Sequence, residues 1–141
     1  MSILQGERRI LVQIRSRIID SGRDTRYDLE AYGFLLASLD YYRSKTDKVG
    51  HIPASTVVES YLELAAMKYG PMAFALLKDW GVETSLDIGT IVYNLIDIEL
   101  LSSDKEESLD DFVDLPPFKE VVNPQESYII DKESIKKFID S

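Results

Sequence analysis

The sequence contains no cysteine and only one histidine. Without cysteine the chain can form neither disulfides nor thiolate metal sites, which fits a reducing compartment. A lone histidine, His51, cannot build the clustered histidine sites that hold zinc, and no acid or nucleophile is spaced with it. We therefore predict no catalytic residue, no metal site and no cofactor, and we expect His51 to be a loop residue with local hydrogen bonds.

Glycine-rich loops and long apolar runs are also missing. The seven glycines are scattered, so the sequence has no loop of the kind that cradles phosphates in nucleotide-binding proteins. No stretch approaches the roughly 18 consecutive apolar residues of a membrane span. Residues 1–20 place arginines inside their apolar pattern, which is unlike a signal peptide. We expect a cytoplasmic protein that does not enter a membrane.

Positive charge is scarce outside the first third of the chain. The net charge is −9, and it divides unevenly. Basic and acidic residues number nine and seven in residues 1–50, two and seven in residues 51–100, and five and eleven in residues 101–141. Because an acidic chain repels a phosphate backbone at long range, nucleic acid is an unfavoured partner.

The length of 141 residues and a hydrophobic fraction of 45% predict one domain with its own core. Apolar residues at spacings of three and four predict a mainly α fold with five helices. We expect these helices at about residues 3–20, 25–44, 54–70, 71–81 and 84–101. The sequence after Leu101 predicts a small β hairpin. The predicted domain spans residues 1–115, and residues 116–141 form a loosely packed C-terminal extension with a short helix.

Single residues predict the limits of the fourth and fifth helices. Pro71 suits the first position of the fourth helix, where its missing N–H costs nothing, and Gly81 ends that helix. Thr84 is expected to cap the fifth helix, with Asp87 in a capping-box position three residues on. Gly89, inside this most apolar helix, is expected to let a neighbouring backbone come close.

The fourth and fifth predicted helices resemble a winged-helix pair, with residues 102–115 as the wing. In such folds the second helix enters the major groove and needs basic or amide side chains. Residues 84–104 contain no Lys or Arg but four Asp or Glu, and the wing adds further carboxylates, among them Glu106, Glu107, Asp110 and Asp111. We interpret the helix pair as a scaffold for packing or protein contact rather than as a reader of DNA.

Arginines are concentrated at the start of the chain. Six of them lie within residues 8–26: Arg8, Arg9, Arg15, Arg17, Arg23 and Arg26. Two interpretations are open. The arginines either pair with carboxylates of the same fold or of a partner subunit, or they contact an anionic partner such as nucleic acid.

Several short motifs follow one another in a recognisable order between residues 23 and 112. They fall on Arg26 and Tyr27, on Ala31, Tyr32 and Phe34, on Gly70 to Ala73, on Trp80 to Val82, on Asp87 to Val92, and on Asp111 with Phe112. In this combination the chain resembles a small uncharacterised bacterial family found mainly in planctomycete and verrucomicrobial genomes. No activity is known for that family, so the resemblance implies no reaction, cofactor or catalytic residue.

Tyrosine and arginine together have the composition that protein interfaces favour. We predict a candidate interaction surface made of Arg23, Arg26, Tyr27, Tyr32 and His51. The leading hypothesis is a non-enzymatic protein-interaction or regulatory module that binds a protein partner or a second copy of itself. The alternatives are a nucleic-acid-associated factor that uses the arginine-rich first helix, and an unrecognised enzyme.

Overall fold

The computed structural model describes residues 9–46, 52–102, 109–113, 115 and 118. All regular structure in these residues is helical, which confirms the mainly α prediction. We number the helices α1 (residues 9–19, of which Arg15–Ile19 is π-helical), α2 (Leu29–Thr46), α3 (Ala54–Tyr69), α4 (Ala73–Asp79), α5 (Ser85–Asp97) and α6 (Asp110–Val113). No helix in the described residues is both long and apolar enough to cross a bilayer.

The helix α2 begins at Leu29, four residues later than the sequence predicts. Two aspartates divert the preceding backbone from helix. Asp24 Oδ1 accepts a hydrogen bond from the N–H of Arg26 at 3.0 Å, and Asp28 Oδ1 accepts one from the N–H of Glu30 at 3.1 Å. Aspartate side chains often stabilise turns in this way, and they compete with helix formation. Residues 23–28 therefore form a loop between α1 and α2.

The junction between α3 and α4 also differs slightly from the prediction. Gly70 ends α3 with a positive φ of 54°, and Pro71 lies in a single turn of 3₁₀ helix, Gly70–Met72. The α-helix proper begins at Ala73. Pro71 fits this turn for the predicted reason, since the first N–H groups of a helical segment have no partner within it.

The beginning of α5 is the one that the sequence predicts. Thr84 Oγ1 accepts a hydrogen bond from the N–H of Asp87 at 3.3 Å, and Asp87 Oδ2 accepts one from the N–H of Thr84 at 3.0 Å. This reciprocal pair is a capping box. Along α5 the side chains of Ile88, Ile91 and Leu95 are fully buried, and the helix contacts α2, α3 and α6.

An aromatic cluster fills the core between α2, α3 and the end of α4. The ring of Phe34 lies 5.1 Å from that of Tyr61 and 5.5 Å from that of Trp80, measured between centroids. Tyr69 meets Trp80 edge-on at 6.1 Å. Tilted and edge-to-face pairs at these distances add to the gain from burial alone. The residue after Trp80, Gly81, has a φ of 96° and ends the α4 segment as predicted.

The segment after Leu101 departs from the predicted hairpin. Residues 110–113, expected to be extended, form the helical turn α6, and no strand occurs among the described residues. The reason is tertiary: Phe112 is buried against Gly89 of α5. Gly89 therefore admits a side chain rather than the backbone that we expected. Leu115 and Phe118 also pack on the core, whereas the predicted C-terminal helix lies outside the described residues.

Candidate interaction surface

The 23–28 loop packs against the turn between α4 and α5. The N–H of Asp28 donates to the carbonyl oxygen of Trp80 at 3.0 Å. A Cβ on Gly81 would collide with the carbonyl oxygen of Arg26, so the close contact leaves no space for a side chain at this position. The positive φ of Gly81 is a second reason for glycine there. The loop and the turn are therefore in direct contact, although more than fifty residues separate them in the sequence.

Arg26 and Asp24 form a forked ion pair within this loop. Arg26 Nε donates to Asp24 Oδ1 at 3.0 Å, and Arg26 Nη2 donates to Asp24 Oδ2 at 2.8 Å. The side chain of Asp24 is only 5% exposed, whereas that of Arg26 is 66% exposed. The guanidinium also lies 5.3 Å from the centroid of the Tyr27 ring. Its position is therefore fixed by three contacts although most of it faces solvent.

The environment of Asp24 favours its charged form. The fork from Arg26 lowers the pKa of Asp24 to about 2, against the opposing effect of burial. Asn94 of α5 assists by donating from Nδ2 to Asp24 Oδ2 at 2.8 Å. The same amide donates to the Tyr32 hydroxyl at 3.0 Å. One amide thus ties the loop, α2 and α5 together around a buried carboxylate, as a buried charge requires.

Tyr27 connects the loop to the capping box of α5. It is buried, and its hydroxyl donates to Asp87 Oδ1 at 2.7 Å. Burial raises the pKa of Tyr27 because it disfavours the charged phenolate. The neighbouring Asp87 carboxylate raises it further, because it accepts a hydrogen bond from the protonated hydroxyl and repels a second negative charge. Asp87 therefore serves both the cap and the tyrosine. The arrangement holds the start of α5 against the loop.

Compared with family models, curated proteins and solved structures, the chain matches none of them. The function must be argued from the side chains themselves. The positions of the short sequence motifs between residues 23 and 112 are informative here. The Arg26–Tyr27 pair, the Trp80–Val82 turn and Asp87 meet in one place, and each makes a packing or hydrogen-bonding contact with another.

The structure separates the five residues of the predicted interaction surface. Tyr27 and Tyr32 are buried and belong to the core. Arg23 and Arg26 are exposed, and Arg23 Nη2 forms an ion pair of 2.7 Å with Asp97 Oδ2, both side chains being about half exposed. His51 lies outside the described residues. The structure therefore places Arg23 and Arg26 at the surface and the two tyrosines in the core.

The remaining arginines of the first helix fall into two kinds. Arg17 is committed to the fold, because its Nη1 donates to the carbonyl oxygen of Ile98 at 3.1 Å. Arg9 and Arg15 are exposed and form no ion pair with any residue that the structure describes. Within the described residues, therefore, Arg23 and Arg26 pair with carboxylates of the same chain, whereas Arg9 and Arg15 do not. Arg8 lies outside the described residues.

Two partners in this site were missing from the sequence-based prediction, Asp24 and Asn94. Asn94 carried a usable signal, since it is an amide within the most apolar helix of the chain and such a group needs a partner when the helix is packed. Asp24 carried a weaker one, because it is a carboxylate next to Arg23 and two residues from Arg26 in the sequence. Neither signal predicts that the two meet, 70 positions apart.

Proposed function

We propose that this chain is a non-enzymatic protein-interaction module whose contact surface includes Arg23 and Arg26. The observation that supports this most directly is the state of Arg26. Its side chain is two-thirds exposed, yet it is held by a fork on a buried carboxylate and by the face of Tyr27. Most exposed arginines move freely, so a fixed one is unusual.

A fixed guanidinium is well suited to binding. A long side chain loses conformational entropy when a partner immobilises it, at about 0.5–1.5 kcal/mol for each such side chain. Folding already holds the Arg26 side chain in place, so a partner that binds it loses less of this conformational entropy. Asp24 uses Nε and Nη2, which leaves Nη1 for a hydrogen-bond acceptor on the partner. Arginine is also among the residues that carry most binding energy in protein interfaces.

The charge around this surface favours a protein partner over nucleic acid. The two arginines stand beside carboxylates, Asp24 and Asp97, so their charge is largely compensated. The chain as a whole carries a net charge of −9. A phosphate backbone gains most from uncompensated cations, whereas a protein acceptor needs only one well-placed donor. In this proposal the α4–α5 pair serves as the scaffold that positions the loop.

The test compares partner capture by matched variants of the tagged chain. The double variant D24N/R26Q removes both members of the fork and leaves no buried charge unpaired. The control R43Q removes an exposed arginine of α2. Each protein is used to capture binding partners from a lysate of the source cells, with quantitative mass spectrometry as the readout. An unrelated protein of similar size and acidity measures the background.

We expect one or a few proteins to be recovered in near-stoichiometric amount by the wild type and by R43Q, and at least about tenfold less by D24N/R26Q. Circular dichroism of the purified variants checks that each is folded. Equal recovery by D24N/R26Q would show that Arg26 is not in the contact surface. Recovery of nothing above background by the wild type would count against an interaction module altogether.

A further inference from the structure

Four side chains connect α2 to α3 on a solvent-facing side of the helix pair. Tyr41 and Lys45 are four residues apart on α2, and Glu63 and Met67 are four residues apart on α3, so each pair shares a face of its helix. Lys45 Nζ donates to Oε1 and Oε2 of Glu63 at 2.8 and 2.9 Å. The same Nζ lies 5.5 Å from the centroid of the Tyr41 ring. The Tyr41 hydroxyl donates to Met67 Sδ at 3.1 Å.

Met67 is an exposed methionine whose sulfur already has a hydrogen-bond donor beside it. The residue is 65% exposed, although methionine is among the residue types that are most often buried. Exposed thioethers are accessible to peroxide, which converts methionine to methionine sulfoxide. Met72 provides a comparison within the same chain. It is 66% exposed, and its sulfur accepts no hydrogen bond from any residue that the structure describes.

The reaction with hydrogen peroxide balances within its two reactants. A lone pair of the sulfur attacks one peroxide oxygen, the S–O bond forms and the O–O bond breaks. Sulfur loses two electrons and the peroxide gains them. The departing hydroxide takes the proton of the transferred oxygen and leaves as water. The product oxygen carries partial negative charge and accepts hydrogen bonds strongly, whereas a thioether sulfur is a weak acceptor.

The Tyr41 hydroxyl is placed to donate to that new oxygen. Partial burial, and then a hydrogen bond with Glu63, raise the pKa of Tyr41, so the hydroxyl keeps its proton at neutral pH. Glu63 is a competing acceptor, and Lys45 donates to both of its oxygens. The methionine side chain has three rotatable bonds, so a small rotation brings a sulfoxide oxygen to a hydroxyl that is 3.1 Å from the sulfur.

We propose that Met67 is a site of oxidation to the sulfoxide by peroxide, and that the Tyr41 hydroxyl binds the oxygen that is added. The modification replaces a weak hydrogen bond between α2 and α3 with a stronger one. Sulfoxide formation in a hydrophobic core has the opposite effect, because it introduces a polar group that disrupts the packing. The inference goes beyond the proposed function, since it concerns other residues and needs only the purified chain.

The experiment measures how oxidation and the Tyr41 hydroxyl act together on stability. Met72→Leu leaves Met67 as the oxidisable methionine of the described residues, and Tyr41→Phe is added to remove the donor. Each purified protein is treated with hydrogen peroxide while folded, and mass spectrometry of its peptides locates the added oxygen. Urea unfolding followed by circular dichroism gives the folding equilibrium constant before and after treatment. The control pair carries Met67→Leu instead, so that Met72 is oxidised; Met1 is common to all variants.

We expect oxidation of Met67 to change the folding equilibrium constant in favour of the folded state by at least about threefold relative to its effect in Tyr41→Phe, as one additional net hydrogen bond predicts. Oxidation of Met72 should have the same effect with and without the Tyr41 hydroxyl. The proposal is overturned if Met67 takes up no oxygen in the folded protein. It is also overturned if the effect of Met67 oxidation does not depend on the Tyr41 hydroxyl, or if the oxidised protein loses its helix.

Discussion

Gly89 and Phe112 are in such close contact that a Cβ on the glycine would lie 2.5 Å from Cγ of the ring. Glycine within a helix costs about 1 kcal/mol relative to alanine. Here the space it leaves admits the base of a buried aromatic side chain, which fixes α6 on α5. The contact explains both why a glycine occurs in the most apolar helix and why residues 110–113 are helical rather than extended.

The first prediction concerns replacement of this glycine. We expect Gly89→Ala to lower the free energy of unfolding by about 1–3 kcal/mol, because the new methyl group meets the Cβ and Cγ of Phe112, which cannot move without the backbone of α6. Gly33→Ala is the matched control. Gly33 is also within a helix, and its new Cβ would meet only Leu11 Cδ2, at 3.4 Å. Urea unfolding followed by circular dichroism measures both variants.

We expect Gly33→Ala to be neutral or stabilising by up to about 1 kcal/mol. The contact itself is tested by Phe112→Ala in both backgrounds. Once the ring is absent, only the Cβ of residue 112 remains near the new methyl group, at 2.8 Å, so Gly89→Ala should destabilise the protein less and the two changes should be non-additive. Additive effects would mean that the glycine is needed for some other reason.

A second prediction separates backbone strain from lack of space at the left-handed glycines. Gly22 and Gly81 both have positive φ, 80° and 96°. Nothing lies within 4 Å of a Cβ on Gly22, whereas a Cβ on Gly81 would collide with the carbonyl oxygen of Arg26. Gly22→Ala should cost about 1–2 kcal/mol, the ordinary penalty for that conformation. Gly81→Ala should cost clearly more, as measured by thermal or urea unfolding, and equal losses would contradict the close packing of the loop and the turn.

The part of the fold that the sequence predicts well is the part fixed by neighbours along the chain. The capping box of Thr84 and Asp87 is an example, because all its donors and acceptors lie within three residues of one another. Gly81 as the end of the α4 segment is another, since its conformation depends on a single residue. Local chemistry of this kind operates wherever the segment is placed in the fold.

The contacts that the sequence did not predict join distant segments. A tyrosine can be buried only if its hydroxyl finds a partner, and the partners of Tyr27 and Tyr32 are Asp87 and Asn94, 60 and 62 residues further on. The sequence does not place those partners, and it therefore assigns Tyr27 and Tyr32 only to a candidate interaction surface. The helical conformation of α6 was missed for the same reason, because it depends on the contact of Phe112 with Gly89.

A third prediction follows from the ion pair of Asp24. The pKa of this carboxyl is lowered from 3.8 to about 2 in the folded state. Its charged form therefore stabilises the fold above pH 3.8, and that stabilisation is lost as the pH falls toward 2. At pH of about 6 we expect Asp24→Asn to lower the free energy of unfolding by about 1–2 kcal/mol, allowing for the exposure of Arg26.

The pH dependence shows whether charge or packing causes the loss of stability in Asp24→Asn. The difference between wild type and Asp24→Asn should shrink as acid protonates the wild-type carboxyl, and urea unfolding at several pH values measures it. The control is Asp79→Asn, which alters an exposed carboxylate of α4 and should change stability by less than about 0.5 kcal/mol. A difference that stays constant down to pH of about 2 would assign the effect to packing rather than to charge.

The last prediction concerns alkaline unfolding, which three buried tyrosines should control. Burial raises the pKa of Tyr32 from 10.0 to about 12, and it raises the pKa values of Tyr27 and Tyr61 as well. A raised pKa means that the protonated form stabilises the fold below pH 10.0, and that this contribution is lost as the pH rises. Tyrosinate absorbance and circular dichroism, recorded in one titration, should therefore show Tyr27, Tyr32 and Tyr61 ionising only as helix is lost. Tyr61→Phe removes the hydrogen bond to the Ala31 carbonyl oxygen and one buried titrating group. It should reduce the steepness with which stability falls above pH of about 10, even though the variant is less stable at neutral pH by about 1 kcal/mol. Ionisation of all eight tyrosines in one step near their ordinary pKa, with the helices intact, would contradict the burial of Tyr27, Tyr32 and Tyr61.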